Sequence, residues 1–403
     1  MKARISMLNE ASNIYGQQAG PWISRAEKSR LYKNAVIVLP DGLIKGSLQV
    51  DNGLIKDVSA GAVLAPGEDF EGDYVWPGFV ELHTDNLEKH IMPRQGTFWP
   101  FPEAALEIHD AQLAAAGITT VLDSVCVGEP GQKERRAILK LSLEALAKAP
   151  LNPALRVDHL IHLRCELPAP EMAELFEGLA ELEPVRLLSL MDHSPGQRQW
   201  RDIDYYLQYY AKSDLSPDKL KSEVEELLKK REKHASLNLE IALKYARDRS
   251  IPIASHDDTL PEHVQEAVDR KLQISEFPTT MEAARAARVS GLLVVMGAPN
   301  LIRGGSHSGN VSALEVAAAG CLDILSSDYV PAGLLSAAWI LHEKLDWPIE
   351  KAAASISLKP AQAVDLNDRG QLAPGRLADF VRVGFNRGRP FVKEVFAKGR
   401  RVF

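Results

Sequence analysis

Six residues in this sequence pair a metal-seeking side chain with a place at the end of an apolar run. They are His83, Asp85, Glu166, His193, His256 and Asp328. The first two close the stretch Val75-Trp-Pro-Gly-Phe-Val-Glu-Leu-His-Thr-Asp85. Trp76, Phe79, Val80 and Leu82 give it strand character, and Pro77-Gly78 punctuates its entry. Side chains two apart on a strand share a face, so the His83 imidazole and the Asp85 carboxylate can converge on one ion. Taken alone, that pair is equally a hydrogen-bonded pair without metal. The repetition of the pattern favours metal. Burying so many ionisable groups unpaired costs several kcal/mol each, whereas one or two zinc-like ions turn them into ligands. Zinc is the first expectation, with manganese or another divalent ion as the alternative.

The elements that must position these residues alternate along the chain. Strand-like runs end at Asp85, Asp123, Glu166, His193, His256, Phe277, Met296 and Asp328, and helix-like runs separate them. Eight such units predict a (β/α)8 TIM-type barrel, an α/β fold whose chemistry sits where the strands finish. Residues 75–366 form the expected barrel, with an insertion at 196–250. Ser216-Pro217-Asp218 starts a charged helix in that insertion. Trp200, Tyr205, Tyr206, Tyr209 and Tyr210 precede it, either packing the insertion onto the barrel or forming a lid. Short strands with Asp-Gly and Asn-Gly turns fill 31–74, and similar strands fill 367–403. The two ends are expected to build one small β-sandwich domain, and residues 1–30 to be a polar extension.

Composition narrows the function class. A net charge of −7 and a pI near 5.9 argue against a general nucleic-acid binder. Three widely spaced cysteines, Cys126, Cys165 and Cys321, suggest reduced thiols and a cytoplasmic setting. No apolar run reaches membrane-spanning length, and the N-terminus has no apolar signal centre. A small-molecule substrate is expected, and a homodimer is an open expectation.

The PGFVELHTD start and the Leu372-Ala-Pro-Gly-Arg-Leu-Ala-Asp379 segment resemble the amidohydrolase superfamily. That superfamily usually carries His-x-His on its first strand and often a carboxylated lysine between its metals; Asp85 and Glu166 stand in those kinds of place here. Five further segments sharpen the resemblance: Glu81–His90, Leu190–Gln199, Ser255–Asp258, Ser275–Thr280 and Gly297–Asn310. Together they are similar to the triphosphate diphosphatase family of the bacterial carbon–phosphorus lyase pathway. The resemblance implies hydrolysis of α-D-ribose 1-methylphosphonate 5-triphosphate to the 5-phosphate and pyrophosphate. It also implies a water activated by metal, with Asp328 passing its proton and Glu166 binding or bridging ions. Phosphate donors would come from Arg303, Gly304, Gly305, Ser306, His307, Ser308 and Asn310, a Gly-rich loop suited to anions. Arg198, between Gln197 and Gln199, is a second donor, and His90 a substrate contact or an outer partner. Lys89 and Arg94 are weaker candidates, and Glu276 reads as a supporting group or an ordinary strand-end charge, not a ligand. Two other classes stay open: hydrolysis of a cyclic amide or aminopyrimidine, and a non-catalytic scaffold.

Overall fold

The turn residues of the N-terminal segment dictate its hairpins. Described in a computed structural model are residues 29–128, 133–179, 182, 184–210, 217–306 and 309–403. Residues 1–28 of the polar extension therefore lie outside the described residues, as do His307 and Ser308. Strands β1 (Arg30–Leu39), β2 (Gly42–Asp51) and β3 (Leu54–Ala60) pair antiparallel. The β2–β3 loop is Asn52-Gly53, with φ of 50° and 78°, the double left-handed conformation that matches strand twist in a two-residue turn. β4 (Glu68–Asp69) and β5 (Tyr74–Pro77) join β1 in parallel.

At Gly78 the chain leaves this sheet for a second one. A Cβ there would lie 2.3 Å from Thr119 Oγ1, so only glycine makes the crossing. The second sheet runs β6 (Phe79–Thr84), β7 (Ile118–Val127), β8 (Asp158–Glu166), β9 (Val185–Met191), β10 (Ile253–His256), β11 (Ile274–Glu276), β12 (Leu293–Gly297) and β13 (Ile324–Ser326). Each is parallel to the next, and a parallel bridge between Thr84 and Asp328 brings the last strand back to the first. The result is a parallel (β/α)8 barrel. β14 (Phe380–Asn386), β15 (Arg389–Ala397) and β16 (Arg400–Arg401) then return to the first sheet, β14 pairing antiparallel with β5. That mixed sheet has its own aromatic core, in which Phe380 and Phe396 stack at 4.3 Å and Tyr32 meets each at 5.1 Å.

The barrel lumen is filled by one apolar side chain from every strand: Leu82, Leu122, Leu160, Leu187, Ala254, Ile274, Val295 and Ile324. In most strands the residue two further on is polar, including Ser124, His162, Ser189, His256, Glu276 and Ser326, which places the site directly above a dry core. In the insertion, helix Pro217–Asp248 runs for 32 residues. Its second half buries Ala242, Leu243 and Ala246, and Asn238 donates to the carbonyls of Leu167 and Ala169, both at 2.8 Å. Among the described residues no helix is long and apolar enough to cross a membrane.

Outside the barrel wall lies a buried ion network. Asp123 accepts from His109 Nε2 and His159 Nδ1, each at 2.7 Å. Burial alone would lower His159, but Asp123 and Asp110 outweigh it and raise it from 6.5 to about 9. A raised histidine contributes stability that is complete below its unfolded value and lost as pH climbs through its folded one. The denaturation midpoint is therefore expected to fall between pH 6.5 and about 9. His159→Gln, which leaves Asp123 with one partner fewer, should cost about 3–5 kcal/mol at pH 6 and flatten that decline. Denaturant titrations across pH, on both proteins, check it; parallel curves would remove His159 as the cause.

Candidate metal centre

The strand ends carry the polar layer. His83, at the end of β6, is buried and donates from Nδ1 to Glu276 Oε1 on β11 at 2.8 Å. Ser189 on β9 donates to the other oxygen of Glu276 at 2.7 Å and lies 2.6 Å from His162 Nε2. Burial would raise Glu276, but His83 and His162 outweigh it and hold the carboxyl well below its usual range. Burial, in contrast, pulls His162 down to about 3. The first group of ligand-type atoms is thus His83, Asp85 and Asp328, with His83 Nε2 3.8 Å from Asp85 Oδ1. Arg164, inward on β8, donates to that same oxygen at 2.6 Å. Asp328 has a left-handed backbone, φ 54°, and burial followed by Asp85 raises its carboxyl against the pull of His83 and Arg164.

The second group is His193, His256 and Asp257. Both oxygens of Glu166 are taken by His193: one accepts its backbone N–H at 3.0 Å, the other its Nδ1–H at 2.6 Å. This leaves His193 Nε2 facing Asp257 Oδ2 at 3.5 Å. Burial opposes a charge on His193, but Glu166 and Asp257 prevail and raise it to about 10. Both ring nitrogens of His256 and Asp257 Oδ2 are buried without a hydrogen-bond partner. Orphaned buried donors and acceptors are costly, and imidazole with carboxylate is a donor set that suits a divalent ion such as zinc. The residues present therefore fit a metal.

A cavity of about 210 Å³ connects the two groups. His83, Arg164, His193, His256, Asp257 and Asp328 form its floor side, and Arg303, Gly305, Ser306 and Asn310 come from the loop after β12. Gly304 caps helix Ala298–Arg303 with φ 78°. Several expected residues are placed elsewhere. Glu166 and Asp85 stand behind His193 and beside Arg164 rather than among the cavity lining. Arg198 is tied to Asp258 and to the carbonyl of His256. His90 lies against Gln112 and Asn86, away from the cavity. Sequence reasoning missed His162, Arg164 and Asp257, and it singled out Glu276 without its partners His83 and Ser189. Period-two spacing along β8, from Leu160 through His162 and Arg164 to Glu166, was the available signal for two of them.

No family model matches the chain. It is 42% identical over 378 residues to the alpha-D-ribose 1-methylphosphonate 5-triphosphate diphosphatase of Escherichia coli (strain K12), across 93% of this chain and 100% of that protein. The chain belongs to that diphosphatase family. A D-phenylhydantoinase of Escherichia coli O9:H4 (strain HS) is 28% identical, over 38% of this chain and 32% of its own. Among solved structures, molinate hydrolase superposes with a TM-score of 0.62 at 13% identity, covering 94% of this chain and 95% of its own. Dihydropyrimidinase from Brevibacillus agri gives 0.59 at 12%, covering 93% and 95%. At such identities these structures speak for the fold alone.

The diphosphatase-family chain should be stabilised by metal. Zinc at a hundredfold excess over its Kd is expected to add about 2.7 kcal/mol. His256→Ala should lose most of that gain while keeping its metal-free stability, as read from melts with and without zinc. An undiminished zinc effect in the variant would exclude His256 as a ligand.

Proposed function

We propose that the chain hydrolyses α-D-ribose 1-methylphosphonate 5-triphosphate to the 5-phosphate and pyrophosphate. The observation that carries this reading is the 42% identity over the whole length of a diphosphatase of that name. The cavity supports it, because Arg164 and Arg303 face a space that already gathers two sets of ligand-type atoms. Polyanions need such donors; a neutral cyclic amide does not.

Zinc is the proposed ion, held from among His193, His256, Asp257, His83, Asp85 and Asp328. Bound there, it supplies Lewis acidity that acidifies a water and offsets charge on phosphoryl oxygens. The chain's own groups do the rest. Arg303, the Gly305 and Ser306 backbone and Asn310 bind the outer phosphates. The buried polar layer keeps the reacting water apart from bulk solvent. Asp328 accepts the water's proton as its oxygen adds to the phosphorus nearest the ribose. The bond from that phosphorus to the bridging oxygen breaks, and pyrophosphate leaves with the electron pair. The reading includes a small-molecule substrate, no nucleic-acid partner and a cytoplasmic setting; the net charge of −7 supports the second.

Phosphorus NMR of the ribose triphosphate with zinc-loaded protein should show one pyrophosphate per turnover. A dihydropyrimidine offered in parallel should stay closed. Asp328→Asn should lower kcat by about 10²–10⁴-fold with zinc content unchanged. Ring opening without pyrophosphate would replace this reading, and full turnover in the variant would take Asp328 out of the proton transfer.

A further inference from the structure

Among the described residues, the cavity lining holds two arginines, and they stand at different depths. Arg303 is exposed, on the loop after β12. Arg164 rises from the inward face of β8, and its side chain is only 13% exposed. Its Nη1 donates to Asp85 Oδ1 at 2.6 Å, which fixes the direction of the guanidinium. Its Nε is buried and has no hydrogen-bond partner. The carboxylates of Glu88 and Glu276 also bear on this cation. Arg164 in turn stands close enough to Asp328 to oppose the rise that burial gives the Asp328 carboxyl.

We propose that Arg164 is a catalytic residue, a guanidinium aimed by Asp85 at the phosphoryl group in transfer, whereas Arg303 holds the outer phosphates at the mouth. The proposal rests on the diphosphatase reading above and adds a residue to it. Asp257 and Asp328 place carboxylates beside the same space, and the incoming phosphoryl group is itself anionic. A fixed cation at that depth offsets both. A guanidinium does not shed its proton, so its charge is constant while bonds form and break. As the water oxygen adds and the bond to the bridging oxygen breaks, charge is spread over the other oxygens of that phosphorus. Arg164 donates N–H groups to those oxygens and gives up no proton. In a buried site such donors are weakly screened and already oriented, which is where they lower a barrier most. Arginine suits the place because it has five donors: it keeps Asp85 and still has N–H groups for the substrate. The exposed Arg303 lacks that anchoring and acts on binding instead.

The test separates turnover from ground-state binding in the full-length, zinc-loaded chain. In Arg164→Ala, kcat for the ribose triphosphate should fall by about 10²–10³-fold, with KM within about threefold of its original value. Arg303→Ala should act chiefly on KM. Guanidinium at millimolar concentration should restore part of the turnover of Arg164→Ala, a rescue that a merely structural role would not show. Orthovanadate, which takes the five-coordinate shape of phosphorus in transfer, should bind Arg164→Ala at least about tenfold more weakly by calorimetry. Unchanged kcat, a loss carried by KM alone, absence of rescue, or vanadate binding that ignores Arg164 overturns the proposal. Should Arg164→Ala fail to fold, Arg164→Lys takes its place. A lysine ammonium is a point charge without the planar fork, so kcat should still drop, and full turnover overturns the proposal. Vanadate binding needs no turnover. A wild-type chain that binds vanadate through Arg164 yet releases no pyrophosphate keeps the proposal and removes the functional reading; release of pyrophosphate without dependence on Arg164 does the opposite.

Discussion

Glu81 sits at zero exposure on β6, and a carboxylate there survives only if donors replace water. It has three: the backbone N–H of His83 at 2.7 Å, that of Ser327 at 2.6 Å, and Ser326 Oγ at 2.7 Å. Burial raises its carboxyl even so. The bonds join the first barrel strand to the last, and two more continue the seam: Asp328 N–H to His83 O at 3.0 Å, and Asp85 N–H to Asp328 O at 3.1 Å. Everything about the site depends on this seam. Without it, His83 and Asp328 belong to opposite edges of an open sheet, and no cavity forms between them.

The seam also explains the charge distribution. Four of the acids around the lumen mouth are each answered by a specific partner. Glu276 has His83, Asp85 has Arg164, Glu166 has His193, and Asp258 has Arg198. His256 and Asp257, in contrast, face one another without a hydrogen bond. An imidazole and a carboxylate left unpaired side by side among paired neighbours mark the place where a ligand belongs. The long insertion helix adds to the pairing from outside, since Arg231 donates to Asp192 at 2.7 Å and to Gln197 at 3.1 Å beside His193.

The barrel was legible because its signals are local: apolar runs of strand length, helical spacing between them and turn residues at the ends. The ends of these runs were also legible, which picked out His83, His193, His256 and Asp328, all four in the cavity lining. What escaped depends on direction or on distant partners. Asp257 lies one residue past its strand, and only a left-handed φ, invisible to periodicity, returns it to the site. Arg198 read as a phosphate donor because the Asp258 that engages it is 60 residues away. Arg164 read as an ordinary strand residue, although it shares the inward face of β8 with Glu166. Glu276 was left between a supporting group and an ordinary strand-end charge, and its hydrogen bond to His83 makes it the former.

The pairing of β6 with the segment after β13 joins residues some 245 positions apart, and β5 with β14 closes a second, outer loop of the chain in the same sense. Contacts of such long range form late, after most of the loop entropy has been spent. On the ribosome, the imidazoles of β6, β9 and β10 emerge well before Ser326–Asp328 and the strands that follow. A nascent chain therefore carries its histidines exposed and apart, with no assembled trap for a cation. A cation site built from these groups is complete only once the segment after β13 has closed the barrel.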